Sequence, residues 1–289
     1  MQMEDENQKL LANLPSDWWR QLSTCQILAD WFSHHLLGLF LSYREKGEEQ
    51  SCHVIATGFL LHHKEILLWV TAGHVVDKLR EILSDQNNDI RRMRWLDGCE
   101  IPGAESVVVH NRDLAMFSAC DQGMDFGVVA LTGFDEANII NGGRVMVMTD
   151  QIWKNLHLAQ PEGYYIIGYP QEWLEIRQER LNDKQVRGSA TANLAFVPVE
   201  RVEPPTDGQP ASFWDDPEAF YGQILPFADN STAQPDNIIG MSGGPVLSIE
   251  RDSTGNLRYR LFGIQSRWLE QSRRVRAEPI HKIVAMMNE

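Results

Sequence analysis

Apolar and polar positions alternate along this chain in two different periods. Behind a Pro15-Ser16-Asp17 start signal, Trp18, Leu22, Ile27, Trp31 and Phe32 recur at near-helical spacing, which predicts a helix over Leu14–Leu37. From Gly38 onward the pattern becomes one of short β-type runs divided by turn residues. They are Leu39–Tyr43, His53–Leu61, Ile66–Thr71, Ser106–His110, Phe126–Leu131, Arg144–Met148, Tyr164–Ile167, Gly244–Ser248 and Arg258–Ile264. Many short strands with Gly and Pro punctuation predict an all-β antiparallel barrel or sandwich. Glu203–Asp236, rich in Pro, Asp and Gly, reads as a long surface loop. Ile280, Ile283, Val284 and Met287 line one face of a terminal helix over Pro279–Asn288. No internal repeat or low-complexity tract interrupts this order.

Composition narrows the choice of partner. The 289 residues are 43% hydrophobic, enough for one sizeable core or two linked smaller ones. A net charge of −14, from 40 acidic and 26 basic residues, opposes binding to nucleic acid, which needs clustered cations against phosphates. The short basic runs Arg91-Arg92-Met93-Arg94 and Arg273-Arg274-Val275-Arg276 read as solvated surface. Leu36–Leu41 is far shorter than the roughly 20 apolar residues a membrane helix requires. Met1–Lys9 is polar and acidic, unlike the basic start of a secretory signal, so a cytoplasmic protein is expected. Cys25, Cys52, Cys99 and Cys120 are scattered and form no disulfide framework. A zinc site from Cys52-His53 with Cys99, Cys120 or His110 lacks any two-residue ligand spacing, and no metal or organic cofactor is expected.

Three segments carry chemistry, in a fixed order. Trp69-Val70-Thr71-Ala72-Gly73-His74 ends an apolar run in small residues and a histidine; Asp125 heads the apolar run Phe126–Leu131; Gly240-Met241-Ser242-Gly243-Gly244-Pro245 wraps a serine in glycines. A serine hydroxyl is a weak nucleophile until an imidazole accepts its proton. That imidazole needs a buried carboxylate on its other nitrogen to fix the tautomer. A tetrahedral intermediate needs backbone N–H donors converging on its oxyanion, here those of Gly240 and Ser242, and glycines let the backbone take that shape.

These motifs resemble the histidine and serine signatures of trypsin/chymotrypsin-like serine peptidases, in the same His–Asp–Ser order. Leu261-Phe262-Gly263-Ile264-Gln265-Ser266 is similar to the strand that lines the family's substrate cleft, ending in a serine near the triad aspartate. Gly168-Tyr169-Pro170 is similar to a turn of bacterial members. The resemblance covers the chain from about Leu39. It implies two packed six-stranded antiparallel β-barrels, about 38–150 and 151–289, behind an N-terminal helical extension over 1–37. It also implies a His74–Asp125–Ser242 triad in the cleft between the barrels, and substrate contacts from Asp236, Ser266, Arg267 and Trp268. Asp236, six residues before the serine, falls at the base of the family's primary specificity pocket; Ile238 and Ile239 equally suit an apolar pocket. Val75 stands where secreted members carry a disulfide cysteine. Met241 stands where zymogens carry an aspartate, so activation by a new N-terminus is not expected.

The expected function is therefore serine endopeptidase action on a protein or peptide substrate, with no role for nucleic acid or membrane. Such a protease in the cytoplasm needs restraint by a regulatory partner, restricted access or narrow specificity, with the N-terminal helix and the Glu203–Asp236 loop as places for it. No appended substrate-delivery domain is expected beyond the terminal helix. Asp113, which also heads an apolar run, is the alternative acid. Gly240–Gly244 also fits the G-x-S-x-G pattern of α/β-hydrolases, but Gly243-Gly244-Pro245 opposes the helix that fold needs after its serine. A catalytically idle protein keeping the protease fold as a binding module is the other class of function. The pairs His34-His35 and His62-His63 read as structural.

Overall fold

Uninterrupted apolar runs belong to strands buried on both faces, and this chain is built around several. The computed structural model describes residues 17–97, 107–109, 114–120, 123–141, 145–154, 161–182, 185–204, 216, 218–228, 234–251 and 257–288. In the first half, β1 (Leu37–Glu45), β2 (Cys52–Ala56), β5 (Asn88–Asp97) and β6 (Val107–Val108) form one antiparallel sheet in the order β2-β1-β5-β6. β3 (Phe59–His63), β4 (Ile66–Thr71), β7 (Ala115–Ala119) and β8 (Phe126–Ala130) form a second, in the order β3-β4-β8-β7. In the second half, β9 (Gly163–Gly168), β12 (Ala195–Arg201), β13 (Phe220–Ile224), β14 (Pro245–Arg251), β15 (Leu257–Leu269) and β16 (Arg274–Pro279) close into an antiparallel six-stranded barrel. A long hairpin of β10 (Leu174–Asn182) and β11 (Gln185–Ala192) stands between β9 and β12.

Period-2 alternation sorts these side chains into three cores. Leu67 and Trp69 of β4 point into a core shared by both sheets of the first half, and Leu68 and Val70 point the other way. Ile166 and Val246 fill the barrel interior, while Tyr165, Ile167 and Leu247 face out toward Leu68, Val70 and Phe126. The outward faces of the two halves thus share a third core, which is why β3, β4, β8 and β9 read as continuous apolar runs. The Trp69 indole N–H donates to Leu37 O at 2.7 Å, a buried bond tying the two sheets together.

The N-terminal segment docks on that shared core. α1 (Leu22–Ser33) buries Cys25, Leu28 and Phe32 along one face, with Phe32 stacked on Phe196 and edge-on to Tyr259. The expected single helix is broken: a 3-10 turn at Trp18–Arg20 precedes an extended Gln21. Each tryptophan has its own partner, Trp18 donating to Glu162 Oε2 and Trp19 packing edge-on to Tyr165. α3 (Ile280–Met286) packs with Ile280 and Ile283 buried, on the face expected of it.

Other expectations need correction. His53–Leu61 is two strands, interrupted at Thr57-Gly58. Residues 145–148 join the sheet only through a single bridge from Met148 to Leu61, because Met146 N–H is taken by His34 O and Met146 O by the buried His35 ring. The stretch read as the Glu203–Asp236 loop contains the barrel strand β13. Arg276 is not solvated: it is buried in β16 and pairs with Glu278 at 3.2 Å. Among the described residues, no helix is long and apolar enough to cross a membrane, and no group of three metal-ligating side chains occurs.

Candidate active site

β4 ends at Thr71, and a second helix, α2 (Gly73–Ser84), starts after the extended Ala72. Val76, Leu79 and Ile82, three residues apart, bury its inner face against the core. His74 therefore sits in the first turn of a helix whose leading N–H groups have no intrahelical partner. Asp125, just before β8, supplies one. Its Oδ1 accepts the His74 backbone N–H at 2.9 Å, while Oδ2 accepts the imidazole Nδ1–H at 2.8 Å. Both oxygens hold the same histidine, and the helix dipole favours the anion there.

Asp125 is 1% exposed. Burial pushes its carboxyl up, but the hydrogen bond and charge of His74, then the Arg267 charge, bring it below the ordinary carboxylate value. Arg267 Nε lies 2.9 Å from Oδ2. Cys120 Sγ lies 3.8 Å from Oδ1, and burial first, then Asp77 and Asp125, push that thiol up to about 12.

The serine loop is shaped by two glycines in the left-handed region, Gly240 at φ +95° and Gly243 at φ +90°. A Cβ on Gly243 would also lie 2.0 Å from Thr71 Oγ1 and 2.4 Å from Thr57 O. The loop is pinned to β15 by Gly243 N–H to Gln265 O at 2.7 Å and Gln265 N–H to Gly244 O at 2.9 Å. Met241 N–H and Gly244 N–H are likewise used within the turn. The N–H groups of Gly240 and Ser242 have no protein acceptor among the described residues. Met241 is fully buried in the barrel core.

One threonine joins this loop to the first half. Thr57 Oγ1 donates to Gly240 O at 2.8 Å and accepts Tyr169 N–H at 2.9 Å, while Thr57 O accepts Thr71 Oγ1–H at 2.7 Å. His74, Gly240 and Ser242 line a single cleft of about 310 Å³. Its remaining walls are mostly apolar, with Ile55, Val75, Leu79, Ile238, Ile239 and Trp268, plus Lys78 and Gln171.

Four residues of the sequence reading are placed differently from one another. Trp268 lines the cleft, as do Ile238 and Ile239. Asp236 does not: it is exposed, and its backbone N–H donates to Glu172 Oε1 at 2.9 Å, so the expected buried carboxylate is absent from the cleft. Ser266 is buried with its Oγ donating to Glu278 Oε1 at 3.0 Å rather than toward Asp125. Arg267 is directed at Asp125 instead of the cleft. A register shift between Gln265 and Arg267 in the β15–β16 ladder accounts for the last two, since a bulge re-aims the side chains beside it. Asp113, Cys99 and His110 lie outside the described residues. Thr57 is not among the residues expected from sequence, and its only signal there is a threonine before a glycine in an otherwise apolar run. Nor is α2 among the expected elements, although Val76, Leu79 and Ile82 carry a helical period.

No protein-family model matches this chain, and no curated protein matches it. Solved structures do. The protease Anisep from Arthrobacter nicotinovorans is 11% identical, with 85% of this chain and 90% of that one covered at a TM-score of 0.40. A Glu endopeptidase is 12% identical, with 94% of each chain covered at a TM-score of 0.39.

Proposed function

We propose that this chain is a serine endopeptidase that hydrolyses peptide bonds of protein substrates through an acyl-enzyme. In this reading His74 Nε2 takes the Ser242 hydroxyl proton as Oγ attacks the scissile carbonyl. Asp125 fixes the Nδ1–H tautomer and stabilises the imidazolium. The N–H groups of Gly240 and Ser242 receive the oxyanion. The imidazolium then protonates the leaving amine, and a water activated by the same ring releases the acyl group. The observation that carries the reading is the double grip of one buried carboxylate on His74, whose ring shares a cleft with Ser242. With Asp236 outside the lining, the apolar walls favour an apolar side chain beside the scissile bond over a basic one.

A fluorophosphonate probe tests the nucleophile. The wild type should carry the adduct on Ser242 by peptide mass spectrometry, and Ser242→Ala should carry none. Labelling at another residue, or equal peptide hydrolysis by the alanine variant, would sink the assignment. A wild type that neither labels nor turns over a peptide library would mark an idle binding module. Cleavage of that library after Arg or Lys would refute the apolar preference.

A further inference from the structure

The reaction as written leaves Arg267 unused. Its Nε is 2.9 Å from the same Asp125 Oδ2 that accepts the His74 ring, an ion pair on the oxygen that orients the imidazole. The Arg267 side chain is 29% exposed and that of Asp125 1%, so the pair spans the edge of the interior. Screening of a unit charge is only partial there.

Resting on the serine-peptidase reading above, we propose that Arg267 is a positioning residue that offsets part of the Asp125 charge and so lets His74 work as a base at lower pH than it would beside the carboxylate alone. A bare carboxylate favours the imidazolium, and a cation at the same oxygen disfavours it. Fewer histidines are then protonated at a given acidic pH. The same offset weakens stabilisation of the imidazolium formed during attack, so removing Arg267 lowers activity at acidic pH without lowering it in proportion on the alkaline plateau. Arg267 is absent from the cleft lining, so KM should change little.

Other charged and titratable groups face this pair. From α2 come Lys78, in the cleft lining, and Asp77, which is hydrogen-bonded to Cys120. Cys120 itself stays a neutral thiol. From β16 come Glu278, raised by burial and partly offset by Arg276, and Arg276 itself, which donates to Gly123 O. Because Glu278 also titrates, the measurement must read the His74 ring as well as the rate.

The experiment uses the full chain with 15N-labelled histidine, as wild type, Arg267→Met and Arg267→Lys. It records the ring titration by NMR and the pH profile of kcat/KM on a peptide that the wild type cleaves. Arg267→Met should move both acid midpoints up by about half to one pH unit, the size expected of one partly screened charge a few ångströms away. Arg267→Lys, which keeps the charge, should restore most of the shift. In the wild type, raising salt to about 1 M should shift the midpoints the same way, because it screens the part-exposed guanidinium more than the buried carboxylate. This arm needs no variant to fold. Unmoved midpoints in Arg267→Met, or in wild type at high salt, overturn the proposal. Failure of the peptidase reading is separate: it shows as a wild type without hydrolysis, while the ring titration still decides the coupling.

Discussion

Thr57→Val removes one hydroxyl and keeps the shape of the side chain. In the native protein that hydroxyl bridges Tyr169 N–H and Gly240 O, and Thr57 is completely buried. Valine leaves a fully buried donor without a partner and a part-buried acceptor beside it. An unsatisfied buried group costs about 1–3 kcal/mol, so a loss of about 2–3 kcal/mol is expected, a large fraction of the roughly 5–15 kcal/mol that holds a domain together. Activity should fall too, because in the proposed reaction the Gly240 N–H is an oxyanion donor. Losing such a donor outright costs about 100- to 1000-fold in kcat, and its displacement should cost about tenfold. Thr57→Ser keeps the hydroxyl and loses only a buried methyl, so about 1 kcal/mol is expected. Urea denaturation of the three proteins, with kcat/KM on one peptide, reads both effects. A valine variant no less stable than the serine variant would refute the bridging role.

Asp125→Asn should retain the fold and lose about 10⁴-fold in kcat, since the amide would stabilise the wrong imidazole tautomer; a value near wild type would move the acid elsewhere. Gly243→Ala combines a left-handed φ with a Cβ 2.0 Å from Thr71 Oγ1, so Tm should fall sharply or soluble protein vanish; a Tm within a few degrees of wild type would contradict that geometry. His35 is held below the ordinary imidazole value by burial, so its folded form resists protonation. Its contribution to stability is full above the unfolded value of about 6.5 and is lost as pH falls through the lower folded value, and His35→Phe should flatten denaturation midpoints between about pH 7 and pH 5.

Much of the fold was legible because period and punctuation are local. β4 and β8 read as strands since nearly all of their apolar runs are buried on one face or the other, the exposed Ile66 at the start of β4 apart. β13 was hidden for the opposite reason: Phe220–Ile224 is short, holds a glycine and a glutamine, and lies among Pro- and Asp-rich residues, so only its pairing with β12 and β16 makes it a strand. Segment 145–148 failed in the other direction, since an apolar run does not choose its hydrogen-bond partners. For the proposed triad, a histidine after small residues and a serine among glycines were visible in the chain. The Thr57 bridge and the pairing of Arg267 with Asp125 were not, because each reaches residues more than a hundred positions away.

Arg267 shows why the surroundings of Asp125 resist reading from sequence. The motif Gly263-Ile264-Gln265-Ser266 suggests a hydroxyl for the acid, and a one-residue bulge turns that hydroxyl to Glu278 and substitutes a guanidinium. The exchange suits a carboxylate this deeply buried, which otherwise resists ionisation. Three positive influences now surround it: the first turn of α2, the His74 ring and Arg267. Their sum places the Asp125 carboxyl below its ordinary value, so its contribution to stability is present above the unfolded carboxylate range and lost as pH falls through the folded value. The charge that orients His74 therefore also stabilises the fold. Neutralising it in Asp125→Asn should lower the urea midpoint at pH 7, and the difference from wild type should shrink as pH falls and the native carboxylate becomes protonated as well.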